Sequence, residues 1–197
     1  MNLPEYTQWQ PLSVYSIQSL LGKLDWILAG GIALEQFLGY TYRPHGDIDI
    51  LIKREDQSLL KNYISSDQIF VADGRGHLLP YQADTYYTHP IQDIWILDET
   101  HTSWCLQIML IDVKNSCWIY KRNTQVQLPY TDIFFEKDRL KVLKPEIQLL
   151  YKSKTIRNKD QLDFEKVFPQ LAPTAKQYLQ NSLTICYGDN HPWLQTK

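Results

Sequence analysis

The sequence predicts an α+β protein, and three observations predict it. A buried strand, a glycine turn and a short helix follow one another within residues 25–39, several β-type runs are spread over residues 47–122, and three helical patterns close the chain from Pro145. With 197 residues and 23.2 kDa the chain has room for one compact domain, or for one domain with a small helical appendage. A core over residues 1–140 followed by a C-terminal helical segment over residues 141–197 is the expected division.

Each element carries its own signal. Ser13 opens a segment in which Val14, Ile17, Leu20 and Leu21 recur at helical spacing before Gly22, a residue suited to a helix end. Asp25-Trp26-Ile27-Leu28 reads as a buried strand, and Gly30-Gly31 breaks it ahead of a second short helix that ends at Gly39. Pro44 and Gly46 mark a turn in the next loop. Over DIDILI (47–52), Ile48, Ile50 and Ile52 alternate with Asp47, Asp49 and Leu51, which puts two acids on one face of a strand. Glu55 to Ile64 reads as helix and residues 68–73 as another strand; residues 74–90 form a loop long enough to be a candidate functional element. Three β-type runs, 91–97, 103–112 and 117–122, assemble most economically as a meander. Pro145, Asn158 and Pro173 start the closing helices, with Asn158 as an N-cap.

Composition excludes several classes of function. Twenty lysines and arginines against 22 acids leave a net charge of -2, so no global basic field gathers nucleic acid or an anionic membrane, and any phosphate binding is local. The chain start has neither a basic nor an apolar leader region, and no apolar run approaches the ~20 residues that span a bilayer, so a cytoplasmic protein is expected. Cys105, Cys117 and Cys186 are odd in number and lack zinc spacing, which predicts reduced thiols rather than disulfides or a structural metal. Nothing in the residues fixes an oligomeric state.

The most specific constellation joins Gly30-Gly31 to Asp47-Ile48-Asp49, fifteen residues on. Carboxylates at i and i+2 of a strand lie roughly 6 to 7 Å apart at Cα on one face, a spacing suited to shared Mg²⁺. Two metals ~3.5 to 4 Å apart hold both the attacking and the leaving oxygen of a displacement. A glycine pair at a helix start leaves no side chain in the way of a triphosphate and turns N–H groups toward it.

With those residues in view, LAGGIALEQFLGYTYRPHGDIDILI (28–52) resembles the signature of the aminoglycoside 2″-adenylyltransferase and lincosamide nucleotidyltransferase group, within the DNA-polymerase-β-like nucleotidyltransferase superfamily. The similarity continues through LQIMLID, WIYKRN and PEIQLLYKSK to the terminal HPWL. The resemblance implies a mixed β-sheet nucleotidyltransferase core flanked by helices, and transfer of a nucleoside monophosphate from an Mg²⁺-bound NTP, ATP first among them, to a hydroxyl, with release of pyrophosphate. By the same resemblance Gly30 and Gly31 bind the triphosphate, Asp47 and Asp49 hold the metals, and the partners are an NTP and a small hydroxylated acceptor such as an aminoglycoside or a lincosamide.

A third carboxylate is expected on a neighbouring central strand, yet Gln107 occupies the mid-strand position of LQIMLID, and an amide is a poor base or ligand. Asp112, at that strand's end, is the candidate base. Lys152 and Lys154 both follow the apolar Leu149-Leu150; about 200° of helix separates them, so only one enters a given cleft, the helical stripe favouring Lys154 and the family alignment Lys152. Arg43 is a further candidate phosphate ligand beside Pro44 and His45, whereas Lys159, Asp160 and Asp163 read as caps and helix-surface pairs, with phosphate as a second reading for Lys159. Tyr81, Tyr86, Tyr87 and Trp95 are available to stack on a base or sugar, and Asp73, Asp84, Asp93, Asp98 and Glu99 to meet a cationic acceptor. Two other readings are a DxD sugar-nucleotide glycosyltransferase and a catalytically degenerate nucleotide-binding or antitoxin-like module, the latter motivated by Gln107.

Overall fold

A computed structural model describes residues 3–195. The chain divides into two compact units, each assembled from two segments: one runs through Ile27 and resumes over Pro44–Asp112, the other holds Leu28–Arg43 and the chain from Val113 onward. The expected boundary near residue 140 is therefore not where the chain divides.

In the first unit, α1 (Val14–Leu21) begins where the Ser13 hydroxyl accepts the Ser16 N–H at 3.0 Å and stops at Gly22, whose φ of +52° no β-carbon-bearing residue adopts cheaply. Its Ile17 and Leu21 are fully buried. Strand β1 (Trp26–Ala29) passes from the first unit to the second. Next come β2 (Asp49–Lys53), β3 (Ile69–Ala72), β4 (Leu78–Pro80), β5 (Asp93–Leu97) and β6 (Trp104–Lys114). Their order is β4-β3-β5-β6-β2, with β2 parallel to β6 and the other pairs antiparallel, so the sheet is mixed. The helix expected over 55–64 is instead a 3₁₀ stretch, Arg54–Asn62. The Gln57 amide donates to the Arg54 carbonyl at 2.8 Å and so competes for an acceptor that an α-helix would use.

The second unit contains α2 (Gly30–Leu38), β7 (Cys117–Ile119), β8 (Gln127–Pro129), β9 (Phe134–Lys137), β10 (Leu140–Leu143), α3 (Pro145–Lys152), α4 (Asn158–Val167) and α5 (Pro173–Tyr187). Leu28 of β1 pairs in parallel with Val142 of β10, and β10 pairs antiparallel with β9. Asp138 and Arg139 turn that hairpin at φ of +50° and +65°, the geometry of a two-residue turn whose twist matches its strands. The expected boundary at 140 falls on this turn, which ties the residues on its two sides into one ladder. Helix α3 packs against α2, α4 and α5. The helix predicted at Asn158 starts there, but its N-cap is Arg157, whose backbone N–H is held by the Asp160 carboxylate at 3.2 Å. The chain thus has the α+β architecture expected, and no helix among the described residues is long and apolar enough to cross a membrane.

Candidate active site

Alternation along β2 sorts the first unit's sheet into two chemical faces. Ile48, Ile50 and Ile52 are buried, and the same face continues through Ile108 and Leu110 of β6 and Ile94 and Ile96 of β5, all buried. On the other face Asp47 and Asp49 flank buried Ile48 and are themselves half-buried. The register sets Asp49 beside Gln107, Gln107 beside Trp95 and Trp95 beside Phe70. One row of side chains therefore crosses four strands, acidic at β2 and aromatic at β5 and β3.

Among the described residues no group of three or more His, Cys, Asp or Glu is gathered closely enough to hold a metal ion. A pair of carboxylates fits Mg²⁺ nonetheless, because this ion keeps several waters and completes its octahedron with substrate phosphate oxygens rather than with a protein cage. The donor set suits an ion that arrives with a nucleotide. Gln107, next to Asp49 on the neighbouring strand, donates from its amide to Asp93 Oδ1 at 3.3 Å.

Asp112 stands apart from this row. It lies five residues beyond Gln107, about 16 Å along β6, and on the opposite face by the alternation of strand side chains. Its carboxylate accepts from Arg54 Nε at 2.6 Å and contacts His89 Nε2 at 2.8 Å, and Arg54 is itself buried on the Ile52 side of β2. Burial tends to raise the Asp112 pKa, but the Arg54 and His89 contacts outweigh it and hold the group below the usual carboxylate range. A carboxylate so held is a weak base, and its position makes it an ion-pair anchor rather than part of the Asp49 row.

Gly30-Gly31 and the expected phosphate ligands belong to the second unit. Gly30 opens α2 at φ of +71°, a left-handed conformation that explains the glycine. Its N–H donates to Gln148 Oε1 at 2.7 Å, so α3 fixes the start of α2. Substituting Gly30→Ala is expected to destabilise the protein by roughly 1–2 kcal/mol through this φ alone, a loss that urea denaturation reads directly. At the far end of α2, Glu35 Oε1 accepts the Tyr42 N–H at 3.0 Å and pins the loop that carries Arg43.

Arg43 and Lys152 both reach one buried carboxylate. Asp163 is completely buried, accepts from Arg43 Nε at 2.6 Å and Nη2 at 2.9 Å and from the Tyr42 hydroxyl at 2.7 Å, and lies 3.0 Å from Lys152 Nζ. Lys152 Nζ is also 3.3 Å from Asp160 Oδ1. Arg43 and Lys152 are thus committed to a buried ionic cluster, which is where Asp160 and Asp163 lie instead of on the helix surface. Lys154 is exposed beyond the end of α3. The sequence pattern of α4 already hinted at this, since Asp160, Asp163, Phe164 and Val167 follow the spacing of a buried stripe. Gln148, an amide among the apolar residues of α3, is a similar signal that sequence reading passed over.

Burial tends to raise the pKa values of Asp160 and Asp163, but their cationic and hydrogen-bonding partners prevail and hold both below the ordinary carboxylate value, as at Asp112. The folded state therefore binds fewer protons than the unfolded chain on the acid side. The stability these three groups contribute is fully present above the unfolded carboxylate pKa, roughly 4, and is lost as pH falls through their lower folded values. Thermal unfolding from pH 7 to pH 3 is expected to show a flat midpoint down to about pH 4 and a steep fall below it. The three thiols form no disulfide, and burial pushes the Cys105 thiol up to about 12, which leaves it unreactive.

No protein-family model matches the chain, and no curated protein matches it. Solved structures do. A lincosamide antibiotic adenylyltransferase, LnuA, in its lincomycin-bound form, aligns with a TM-score of 0.54 at 17% identity, over 81% of this chain and 98% of that one. The aminoglycoside enzyme ANT(2″)-Ia, in complex with adenylyl-2″-tobramycin, aligns with a TM-score of 0.53 at 12% identity, over 86% of this chain and 92% of that one. With its mixed sheet, and with the Gly-Gly turn and Asp-x-Asp strand following in the expected order, the chain carries the fold of the antibiotic nucleotidyltransferases.

Proposed function

We propose that the chain is an Mg²⁺-dependent nucleotidyltransferase that moves a nucleoside monophosphate from an NTP, with ATP the preferred donor, to a hydroxyl of a small molecule and releases pyrophosphate. The observation that carries this reading is the pairing of Asp47 and Asp49, both half-buried, on the sheet face opposite the buried Ile48, Ile50 and Ile52. Asp47 and Asp49 hold the metal, and Gly30 and Gly31 present the N-terminus of α2 to the polyphosphate without a side chain in the way. Lys154, exposed beyond α3, offsets triphosphate charge, with Arg43 and Lys152 as the other candidate phosphate ligands. Bound Mg²⁺ supplies charge neutralisation on the triphosphate. The protein contributes position: β2 orients Asp49 at its first residue, Asp47 lies two residues ahead of it, and Gln148 locks the glycine turn.

The acceptors bound by the two neighbours, lincomycin and tobramycin, are the natural probes. The test incubates the full chain with Mg²⁺, each of the four NTPs and either antibiotic, and follows pyrophosphate together with the acceptor's mass. A gain of one nucleotidyl group with equimolar pyrophosphate is the expected result. Nucleoside diphosphate release would indicate sugar transfer instead. Nucleotide binding with no pyrophosphate from any acceptor would favour a non-catalytic binder, the reading that Gln107 motivates.

A further inference from the structure

The Asp49–Gln107–Trp95–Phe70 row has a second end. Beside Trp95 lies a hollow of about 340 Å³ lined by Tyr6, Ala72, Gly74, Gly76, His77 and Leu78 together with the Trp95 indole. Trp95 is held on edge by its neighbours: its ring centroid lies 5.9 Å from Tyr6, 4.9 Å from Trp9 and 5.3 Å from Trp104. The Tyr6 hydroxyl donates to the Gly76 carbonyl at 2.7 Å, tying the N-terminal segment to the 73–77 loop across the hollow. That loop is itself built, since Asp73 accepts the N–H groups of Arg75 and His77 at 2.7 and 3.1 Å.

The position of the hollow gives it a purpose. Trp95 and Asp49 are two strand spacings apart on one sheet face, roughly 10 Å, about the reach of a single sugar ring and its substituent. Between them lies one polar edge. The register pairs Val71 with Ile94, which sets Ala72 of the hollow beside Asp93, and Asp93 is the carboxylate that Gln107 holds. Apart from His77, whose ring Asp73 engages at 2.9 Å, the lining is apolar and aromatic; with Asp73 occupied by His77 and two backbone N–H groups, the hollow offers a ring-stacking wall and, at its edge, the Asp93 carboxylate, not the several acids that a polycation requires.

We propose that this hollow is the acceptor site, and that the acceptor is a hydroxylated ring, such as a sugar, with an apolar substituent and at most one cationic group. The apolar part lies against Trp95, and Asp93, steadied by Gln107, accepts a hydroxyl or ammonium hydrogen bond at the edge nearer Asp49. Resting on the transferase reading, this deepens it by naming the class of molecule that receives the nucleotidyl group.

The test is calorimetric titration of the full chain, without nucleotide, using lincomycin as the amphiphilic probe and tobramycin as the polycationic one. Lincomycin is expected to bind at least roughly tenfold more tightly than tobramycin. Ala72→Phe fills the hollow from the strand without removing any core aromatic, and it is expected to weaken lincomycin at least roughly tenfold while leaving Mg–ATP binding unchanged. Asp93→Asn is expected to weaken lincomycin by a smaller factor. Tobramycin binding as tightly as lincomycin, no lincomycin binding, or an Ala72→Phe variant that binds lincomycin normally would each overturn the proposal. Mg–ATP binding and pyrophosphate release with tobramycin alone would refute the acceptor assignment and leave the transferase reading intact. Lincomycin binding lost in Ala72→Phe, in a chain that binds no Mg–ATP, would support the hollow and refute the transferase.

Discussion

Replacing Asp163 with alanine is expected to destabilise the protein by roughly 3–5 kcal/mol, the cost of leaving buried charge without its counterion. The Asp163 side chain is 0% exposed, and the substitution removes the carboxylate that Arg43, 11% exposed, grips at two points, one of the two carboxylates beside Lys152, 9% exposed, and the acceptor of the Tyr42 hydroxyl. Asp160 remains within reach of Lys152 but not as a substitute for the two-point grip on Arg43. Asp163→Asn separates charge from shape. It keeps an acceptor for Tyr42 and nearly the same volume, so a loss close to that of the alanine variant assigns the effect to the missing charge. Glu165→Ala, which removes only an exposed hydrogen bond from Gln161, is the matched control and is expected to leave the urea midpoint unchanged. A midpoint for Asp163→Ala equal to that of the parent would mean that the cluster contributes no net stability.

The second large effect is on chemistry. Asp49→Asn is expected to lower the rate of nucleotidyl transfer by roughly 10²–10³ or more, as loss of a charge aimed at the transition state does elsewhere. Its fold should be untouched: Asp49 is half-buried at the start of β2, and the strand is held by the apolar face of Ile48, Ile50 and Ile52. Thermal unfolding of the variant at the parent's midpoint, beside the rate loss, is the required pair of observations. Asp112→Asn should behave the other way round, losing stability because Arg54 is buried, while retaining transfer once folded.

Particular residues show how far sequence reasoning reaches. The helix stops at Gly22 and Gly39 and the strand-glycine-helix unit are local features, set by backbone preference and side-chain period, and they appear where the sequence placed them; the strand expected from Asp47 starts two residues later, at Asp49. Strands β8, β9 and β10 went unread because each is short and mostly half-exposed, so its identity comes from its pairing partner. Charged residues were harder still. Arg43, Lys152, Asp160 and Asp163 have the composition of a solvated surface, and only the packing of α2, α3 and α4 against one another makes them a buried cluster. Asp112 illustrates the same limit: the sequence located an acid at the end of β6, but its pairing with Arg54, on the face opposite Asp49, follows only from the register of the strands. Gln107 was legible as a departure, and its partner Asp93, fourteen residues earlier, only from the register of β5 on β6.

If Asp47 and Asp49 form half of a metal site that a nucleotide completes, Mn²⁺ binding to the full chain, followed by electron paramagnetic resonance with and without a non-hydrolysable α,β-methylene ATP, shows it. Weak Mn²⁺ binding alone, strong binding with the nucleotide, and loss of the strong binding in Asp49→Asn are the expected results. Nucleotide-dependent Mn²⁺ binding that is identical in the parent and in Asp49→Asn would rule the site out.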